Sequence, residues 1–364
     1  MEASEWRVFK AVIEFSKKLL TWFDQHGRKD LPWQHDINPY RVWVSEIMLQ
    51  QTQVKTVIPY YEKFMASFPD VQTLANADQD MVLKHWSGLG YYARARNMHK
   101  AAQMICDNFA GVFPDNLEAM QSLPGIGRST AAAILSIASN QPEAILDGNV
   151  KRVLSRVFAV DGWPGKADIL KKFWVLAEQT TPKTRNADYT QAIMDLGATL
   201  CTRSKPRCED CPLKADCLAF QQGNQTEYPT KKPKKIMPEK HTVMLIIQNN
   251  QQEVLMQKRP PVGIWGGLWC FPQFDKTGQA EEWLGNNFGI SLNGADKLSK
   301  IKHTFSHFHL HIQPLIINTE TPLKMGVMED NNSLWYNVTT EFNGGLAAPV
   351  QTLLNITNKA VKGN

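Results

Sequence analysis

The sequence predicts two domains of different fold class, a mainly α domain over residues 1–220 and an α+β domain over residues 241–364. Apolar residues recur at helical spacing through the first part, whereas after residue 241 they alternate with polar residues or form short runs. Between the two parts, residues 221–240 carry three prolines, many lysines and few apolar residues, which predicts a linker. A chain of 364 residues exceeds the usual size of one domain, so such a division is expected.

The first domain is predicted to be helical from its beginning. Helical spacing relates four apolar residues near the start, and Gly27 is expected to end that helix; the four are Trp6, Phe9, Ile13 and Leu20. Further apolar stripes, interrupted by proline or glycine, predict helices within residues 41–58, 78–109, 117–140 and 168–200.

The second domain is predicted to contain strands. Alternating or short apolar runs occupy Thr242–Ile247, Val254–Gln257 and Phe308–Ile317. Tight clusters of glycine and proline, such as Pro260–Gly267, lie between these runs and favour turns. The mixture indicates an α+β fold.

Composition limits the class of protein. The 43% of hydrophobic residues supports sizeable cores and argues against a globally disordered chain. A formal charge of +5 permits a polyanionic partner without requiring one. The charged start MEASEWRVFK lacks the apolar region of a secretory signal, and no run of about 18 apolar residues predicts a membrane span. We therefore expect a soluble cytoplasmic protein with no membrane association.

Four of the six cysteines cluster in one short segment. Cys201, Cys208, Cys211 and Cys217 have the spacing C-x6-C-x2-C-x5-C, which suits a tetrahedral zinc ion or a [4Fe–4S] cluster. Zinc ribbons usually pair two C-x2-C knuckles and only one is present, but spacing alone leaves iron, zinc and ordinary buried thiols open. The remaining two, Cys106 and Cys270, are interpreted as structural.

The loop between the first two clustered cysteines is basic. Arg203, Lys205 and Arg207 lie there, and they suit a phosphate backbone or a solvated charged turn.

A glycine-containing turn lies between two predicted helices. The segment Leu123–Ala131, LPGIGRSTA, places Gly125 and Gly127 where backbone amides are unhindered, and the helix that follows directs its N-terminal amides toward an anion. Its position between helices, rather than after a strand, argues against a dinucleotide site. The segment resembles a helix-hairpin-helix turn, which holds a DNA phosphate without reading the base.

Two carboxylates are candidates for catalysis. Asp147 lies in ILDGNVKR, about twenty residues beyond the hairpin, although such a string is also typical of a turn or an N-cap. Glu46 shares a predicted helical face with Val42, Trp43 and Leu49, so its pKa should be raised unless a basic side chain pairs with it. A neutral carboxylic acid beside an ionised aspartate is the pair that glycosidic chemistry requires.

Together these features resemble the endonuclease III-like superfamily of base-excision glycosylases. Three further stretches resemble its adenine-removing MutY family: SEIMLQQTQV at 45–54, GLGYYARARN at 88–97 and LDGNVKRV at 146–153. The similarity spans residues 6–350. It implies a helix-hairpin-helix glycosylase domain with a [4Fe–4S] cluster on the four cysteines. It also implies a monomeric enzyme that flips adenine out of double-stranded DNA at A:8-oxoguanine or A:G mispairs and hydrolyses its N-glycosidic bond.

The resemblance implies roles for individual residues. Glu46 would protonate adenine, Asp147 would stabilise the cationic sugar, and Asn149 would share their pocket. Ser129 stands where bifunctional relatives have a nucleophilic lysine, which implies hydrolysis without an efficient strand-cleaving step. Many relatives have Arg where this chain has Gln34. The residues implied to contact DNA or adenine are Trp33, Gln50, Gln51, Tyr91, Gly125, Gly127, Ser129 and Asp195.

The second domain resembles the MutT-like, nudix architecture. It lacks the glutamate-rich helix that holds divalent metal in nudix hydrolases, so it is expected to bind without catalysing. Within KHTFSHFH at Lys302–His309, the resemblance implies that Phe305, Ser306 and His307 contact 8-oxoguanine. Three histidines in eight residues also suggest a metal, but alternation with phenylalanine favours a strand or strand-end loop at least equally.

Other functions remain open at this point. A bifunctional lyase for damaged pyrimidines is disfavoured by Ser129. A non-catalytic iron–sulfur protein that binds DNA or senses redox state requires Glu46 and Asp147 to be structural. A zinc-containing DNA-binding module explains fewer of the motifs.

Overall fold

The structure is a computed structural model that describes residues 3–233, 236–319 and 332–362. Packing divides these residues into two compact units, residues 1–75 with 100–234 and residues 76–99 with 235–364. In the part of the chain described, no helix combines the length and apolar character needed to cross a bilayer.

Within residues 3–221 the structure describes twelve α-helices. In chain order they are α1 (Ala3–His26), α2 (Pro39–Leu49), α3 (Val54–Ser67), α4 (Val71–Asn76), α5 (Gln79–Trp86), α6 (Ala93–Phe109), α7 (Leu117–Gln121), α8 (Arg128–Ser139), α9 (Gly148–Val157), α10 (Ala167–Thr180), α11 (Asn186–Asp195) and α12 (Leu218–Gln221). The predicted mainly α class is confirmed. Each predicted apolar stripe, however, comprises two helices separated by a short break, which apolar spacing alone does not locate.

The first helix ends where the sequence predicts. The α1 helix stops at His26, and the Gly27 amide donates to the Phe23 carbonyl at 2.9 Å. A Cβ atom on Gly27 would lie 2.1 Å from the Phe23 ring, so only glycine fits here. Phe15 and Leu19 are fully buried on the inward face of α1. The side chains of Trp6, Phe9 and Ile13 lie outside the described part of the structure.

The C-terminal unit is built around a mixed sheet. Its strands are β1 (Glu239–Asn249), β2 (Glu253–Lys258), β3 (Trp269–Cys270), β4 (Gln273–Phe274), β5 (Asp296–Lys297), β6 (Ile301–Thr304), β7 (His309–Thr319) and β8 (Ser333–Asn337). The long strands β1 and β7 pair in parallel, and β2 pairs with β1 in the antiparallel direction. Two helices complete the α+β fold, α13 (Thr277–Phe288) and α14 (Ala348–Lys362).

One face of this sheet is covered by α13. Leu245 and Ile247 of β1 and Leu315 of β7 pack against Leu284 and Phe288 of the helix, and all five are buried. Because side chains alternate across a strand, these positions share one face of the sheet.

Residues 76–99 belong to this unit although they lie far away in sequence. Asp80 binds the Lys258 ammonium at 2.7 Å and accepts a hydrogen bond from the Trp269 indole at 3.0 Å. The Tyr92 hydroxyl donates to the Leu346 carbonyl at 3.1 Å. Polar contacts thus tie this helical segment to the sheet and the chain before α14.

Candidate active site and cysteine loop

Glu46 lies on α2, which presents a mostly buried face to the core. Its helical neighbours Val42 and Trp43 are almost inaccessible to solvent, whereas Glu46 itself keeps partial exposure. Burial, together with the smaller effect of the nearby Asp147 charge, raises the pKa of Glu46 to about 8. Within the described residues Glu46 forms no salt bridge that would counter this effect. The carboxyl is therefore mostly protonated at pH 7.

Asp147 is the N-cap of α9. Its Oδ1 accepts a hydrogen bond from the Val150 amide at 2.8 Å, and its Oδ2 accepts one from the Asn149 side-chain amide at 3.1 Å. Burial raises the pKa of Asp147, while these donors and the Arg152 charge oppose the rise. The N-cap interpretation is therefore confirmed. The charge of Asp147 also acts on Glu46, and its catalytic role stays a prediction.

The hairpin is fastened to the segment that precedes Asp147. The Leu146 amide donates to the Ser129 hydroxyl at 2.9 Å. At the end of α2, the Gln50 side chain lies 3.4 Å from the Thr130 hydroxyl. The structure therefore brings together the end of the Glu46 helix, the start of α8 and the turn that carries Asp147.

The hairpin glycines differ in backbone conformation. Gly125 has a φ of 79°, which side-chain-bearing residues rarely adopt, and the turn it makes needs glycine. Gly127 is the N-cap of α8, and a Cβ atom there would meet no atom within 4 Å. Packing within the chain does not require glycine at residue 127, so the space before the first turn of α8 is open to an external anion.

Gln51 and Tyr91, both implied to contact DNA, have positive φ angles of 59° and 46°. Gln51 follows α2 and is exposed; Tyr91 lies in the other unit and is 48% exposed. Strained backbone of this kind concentrates at functional sites.

Trp33 and Asp195 are buried, and each has an internal partner. The Trp33 ring meets the Tyr61 ring edge-on at 5.5 Å between centroids. Asp195 is 2% exposed and is held by Arg28, whose amide donates to Oδ2 at 2.8 Å and whose Nε donates to Oδ1 at 2.9 Å. Gln34 accepts from the Leu31 amide at 3.0 Å and donates to the Arg28 carbonyl at 2.9 Å. Sequence reasoning missed Arg28, because nothing local to it indicates a partner 167 residues away.

Sequence reasoning also missed Arg152, which links the turn that carries Asp147 to the cysteine loop. Its Nη2 donates to the Asn149 side-chain oxygen and to the Gly197 carbonyl, both at 2.7 Å. Its Nε donates to the Cys201 carbonyl at 2.7 Å. Asn149 is therefore held between Arg152 and Asp147.

Arg156, one turn further along α9, is 2% exposed and has no carboxylate partner in the described structure. It donates to the Thr202 carbonyl at 2.8 Å, the Arg203 carbonyl at 3.1 Å and the Tyr228 carbonyl at 3.2 Å. Its Nη1 also lies 3.2 Å from the Cys201 sulfur. A buried cation requires such acceptors.

All four clustered cysteines line one cavity beside Arg156, with Val153, Leu196 and Leu200 among its apolar walls. Burial is the main reason why the pKa of Cys217 is raised to about 11. Repulsion from the neighbouring Cys201 and Cys208, when these are thiolates, acts in the same direction. Across the described residues, no three His, Cys, Asp or Glu side chains are grouped to hold a metal ion. Sulfur is a soft donor that suits iron or zinc, so the shared cavity agrees with a thiolate-bound group in the kind of donor, but not in the grouping of the described side chains.

A π-helical turn, Leu196–Leu200, connects α11 to the first cysteine. A Cβ atom on Gly197 would lie 2.6 Å from the Asn149 Cβ atom. Only glycine allows the π-helical turn to approach α9 this closely.

In the C-terminal unit, Phe305, Ser306 and His307 form the turn between β6 and β7. The Phe305 amide donates to the Phe308 carbonyl at 2.9 Å and closes the turn. Ser306 and His307 are exposed, whereas the Phe305 ring lies 5.4 Å from the Trp265 ring. The loop therefore presents two polar side chains on an aromatic base.

Comparison with known proteins matches both parts of the chain to families. Residues 44–179 match the HhH-GPD superfamily of base excision DNA repair proteins, and residues 242–355 match the NUDIX domain. The adenine DNA glycosylase of Buchnera aphidicola subsp. Acyrthosiphon pisum is 42% identical over 93% of this chain and 96% of that protein. The adenine DNA glycosylase of Homo sapiens is 33% identical over 88% of this chain and 70% of that protein.

Two solved structures match the helical part of the chain. A thermostable thymine-DNA glycosylase is 27% identical with a TM-score of 0.52, covering 58% of this chain and 98% of that one. Endonuclease III in a non-covalent DNA complex is 20% identical with a TM-score of 0.51, covering 61% of this chain and 99% of that one, and this likeness concerns the fold alone.

Replacing Gly197 with alanine tests the close approach of the π-helical turn to α9. Because the new Cβ atom overlaps Asn149, we expect Gly197→Ala to lower the free energy of unfolding in urea by about 1–3 kcal/mol. Gly148→Ala is the matched control, since a Cβ atom there meets nothing within 4 Å; we expect a change below about 0.5 kcal/mol. Equal effects of the two substitutions would contradict the packing described.

Proposed function

The chain belongs to the MutY family of adenine DNA glycosylases, and on that premise we propose that its substrate is adenine opposite 8-oxoguanine or guanine in double-stranded DNA. The observation that carries the proposal is the pair formed by Glu46 and Asp147. Burial holds one carboxyl mostly neutral, while backbone and side-chain donors surround the other. Such a pair supplies an acid and an anion at the same pH.

Glu46 acts as the general acid. Adenine must first leave the base stack, at a cost of roughly a few kcal/mol, before a side chain can reach it. With a pKa of about 8, Glu46 holds a proton at pH 7 that it can donate to an adenine ring nitrogen. Protonation turns adenine into a leaving group, and the glycosidic electron pair departs with it.

Asp147 stabilises the cationic sugar that remains. The Val150 amide and the Asn149 side chain fix its two oxygens, so the carboxylate does not need to reorganise as positive charge develops. Arg152 in turn holds Asn149 from the other side. Water then completes hydrolysis at the sugar.

Ser129 supports a monofunctional reaction. Its hydroxyl already accepts a hydrogen bond from the Leu146 amide, and it carries no amine that would attack the sugar. We therefore infer loss of the base without efficient strand cleavage.

Cys201, Cys208, Cys211 and Cys217 would hold a [4Fe–4S] cluster, with Arg156 as the adjacent buried cation. A bound cluster would supply covalent cross-links within the loop, from Cys201 at the end of the π-helical turn to Cys217 before α12, and would thereby stabilise the fold. Residues 1–220 would form the glycosylase domain, 221–240 the connection and 241–364 the lesion-reading domain of a monomer that acts on mispaired duplex DNA.

Replacing Glu46 with glutamine tests its role as the acid. Glutamine keeps the shape of the side chain but has no acidic proton, so we expect the single-turnover rate of adenine release to fall by about 10³-fold. Duplex affinity should stay within about twofold. The control is Glu62→Gln, the same change at an exposed position of α3, which should leave both quantities unaltered. Unimpaired release by the Glu46 variant would remove it from the mechanism.

The pH dependence of kcat/KM provides a second test. Release requires protonated Glu46, so the rate should fall about tenfold per unit as pH rises above about 8. Release also requires ionised Asp147, so the rate should fall as the pH decreases through the pKa of this carboxyl. Because burial raises that pKa, the fall at acidic pH should begin above the ordinary aspartate range. An alkaline limb near the ordinary pKa of glutamate would contradict the assignment.

The polar tip of the loop between β6 and β7 is expected to discriminate the lesion. Combining Ser306→Ala and His307→Ala removes two exposed polar groups and one edge-on ring contact, from His307 to buried Phe308 at 4.7 Å. The backbone hydrogen bond that closes the turn remains, so the fold should persist. The preference is the ratio of the affinity for A:8-oxoguanine duplex to the affinity for A:G duplex. We expect this ratio to fall about tenfold. Asn250→Ala, at the exposed turn between β1 and β2, is the control. A preference that survives the double substitution would place lesion reading elsewhere.

A further inference from the structure

A basic groove borders the first turn of α9, directly after Asp147 in the chain. Its lining includes residues of four segments: the first turn of α9, the loop after α9, the cysteine loop and the connecting segment 226–232. The lining residues used below are Gly148, Lys151, Trp163, Arg203, Lys231 and Lys232.

The connecting segment is fastened to the glycosylase unit. The Tyr228 hydroxyl donates to Asp161 at 3.0 Å, and the Tyr228 carbonyl accepts from buried Arg156. The Thr230 hydroxyl accepts from the Gly162 amide at 3.2 Å. Residues predicted from sequence as part of a linker therefore form one wall of the groove.

The groove carries positive charge without internal compensation. Lys151, Arg203, Lys231 and Lys232 form no salt bridge in the described structure, and no carboxylate lines the groove. Lys232 is an exposed residue whose ammonium lies over the Trp163 ring, with Nζ 5.2 Å from the ring centroid, so the ring positions this cation at the groove. Several converging cations on a fixed surface attract a polyanion.

The groove also begins beside the reacting groups. Gly148 lines it and follows Asp147 directly in the chain. A Cβ atom on Gly148 would meet nothing within 4 Å, so the groove is open at this end. An anion that enters the groove at this end would lie close to Asp147.

We propose that this groove binds the sugar–phosphate backbone of the strand that carries the excised adenine, and that Lys231 and Lys232 each contact a phosphate. This inference rests on the proposed function, since Asp147 faces that strand only if the reaction is adenine release. The connecting segment is then part of the DNA-binding surface rather than a spacer.

Salt dependence of duplex binding by the full chain tests the proposal. Each phosphate contact contributes about 0.9 to the slope of log affinity against log salt, or roughly fivefold in affinity at about 0.15 M salt. Combining Lys231→Ala with Lys232→Ala should therefore reduce the slope by about 2 and weaken binding about 30-fold. The single-turnover release rate at saturating enzyme should stay unchanged, because neither lysine touches the reacting atoms.

The matched control combines Lys171→Ala with Lys172→Ala, two adjacent exposed lysines on α10 outside the groove. It makes the same change in net charge. If both double variants lost the same affinity, the loss would be explained by net charge alone, and the proposal would be overturned.

Neutral methylphosphonate linkages, placed singly along each strand, locate the contact. Those near the adenine on its own strand should weaken binding by the unaltered protein and have little further effect on the Lys231/Lys232 variant. Two results would overturn the groove assignment: a methylphosphonate that weakens binding by the variant as much as by the unaltered protein, or methylphosphonates that weaken binding only on the opposite strand. Adenine release by the unaltered protein would still support the proposed function in either case. A chain that releases no adenine from any duplex would remove both.

Discussion

The burial of the Arg156 guanidinium is the constraint on which the arrangement of the glycosylase unit depends. A cation with 2% exposure and no carboxylate partner among the described residues requires acceptors on every side. The chain supplies three carbonyls and one cysteine sulfur, from the cysteine loop and from Tyr228. Helix α9, the cysteine loop and the connecting segment must therefore keep fixed positions relative to one another.

Helix α9 connects buried Arg156 to Asp147 and Asn149 at the start of the same helix. Its N-cap is Asp147, and Arg152, one turn before Arg156, holds Asn149 and the Cys201 carbonyl together. Gly197 permits the π-helical turn to pack directly on Asn149. The Asp147 carboxylate is thus oriented by contacts that reach the cysteine cavity, and through them the cysteine loop can stabilise the turn that carries Asp147.

The sequence predicted the features that depend on local pattern. Helical spacing and the change of period gave the fold class, and cysteine spacing identified a loop whose thiols line one cavity. The apolar neighbours of Glu46 predicted its raised pKa. Contacts between distant residues were not predictable: Arg28 with Asp195, Arg156 with Tyr228, and Asp80 with Lys258 each join residues far apart in sequence. Such pairings depend on tertiary packing, which residue spacing does not encode.

The most direct test of the central claim, that Glu46 and Asp147 release adenine without cleaving the strand, is a single-turnover assay with four duplexes. These contain A:8-oxoguanine, A:G, A:T and thymine glycol:A pairs, and each reaction is analysed with and without hot alkali. We predict adenine-strand breaks only after alkali, fastest opposite 8-oxoguanine and absent from A:T. Breaks at thymine glycol without alkali, or tight binding with no base loss from any duplex, would contradict the account.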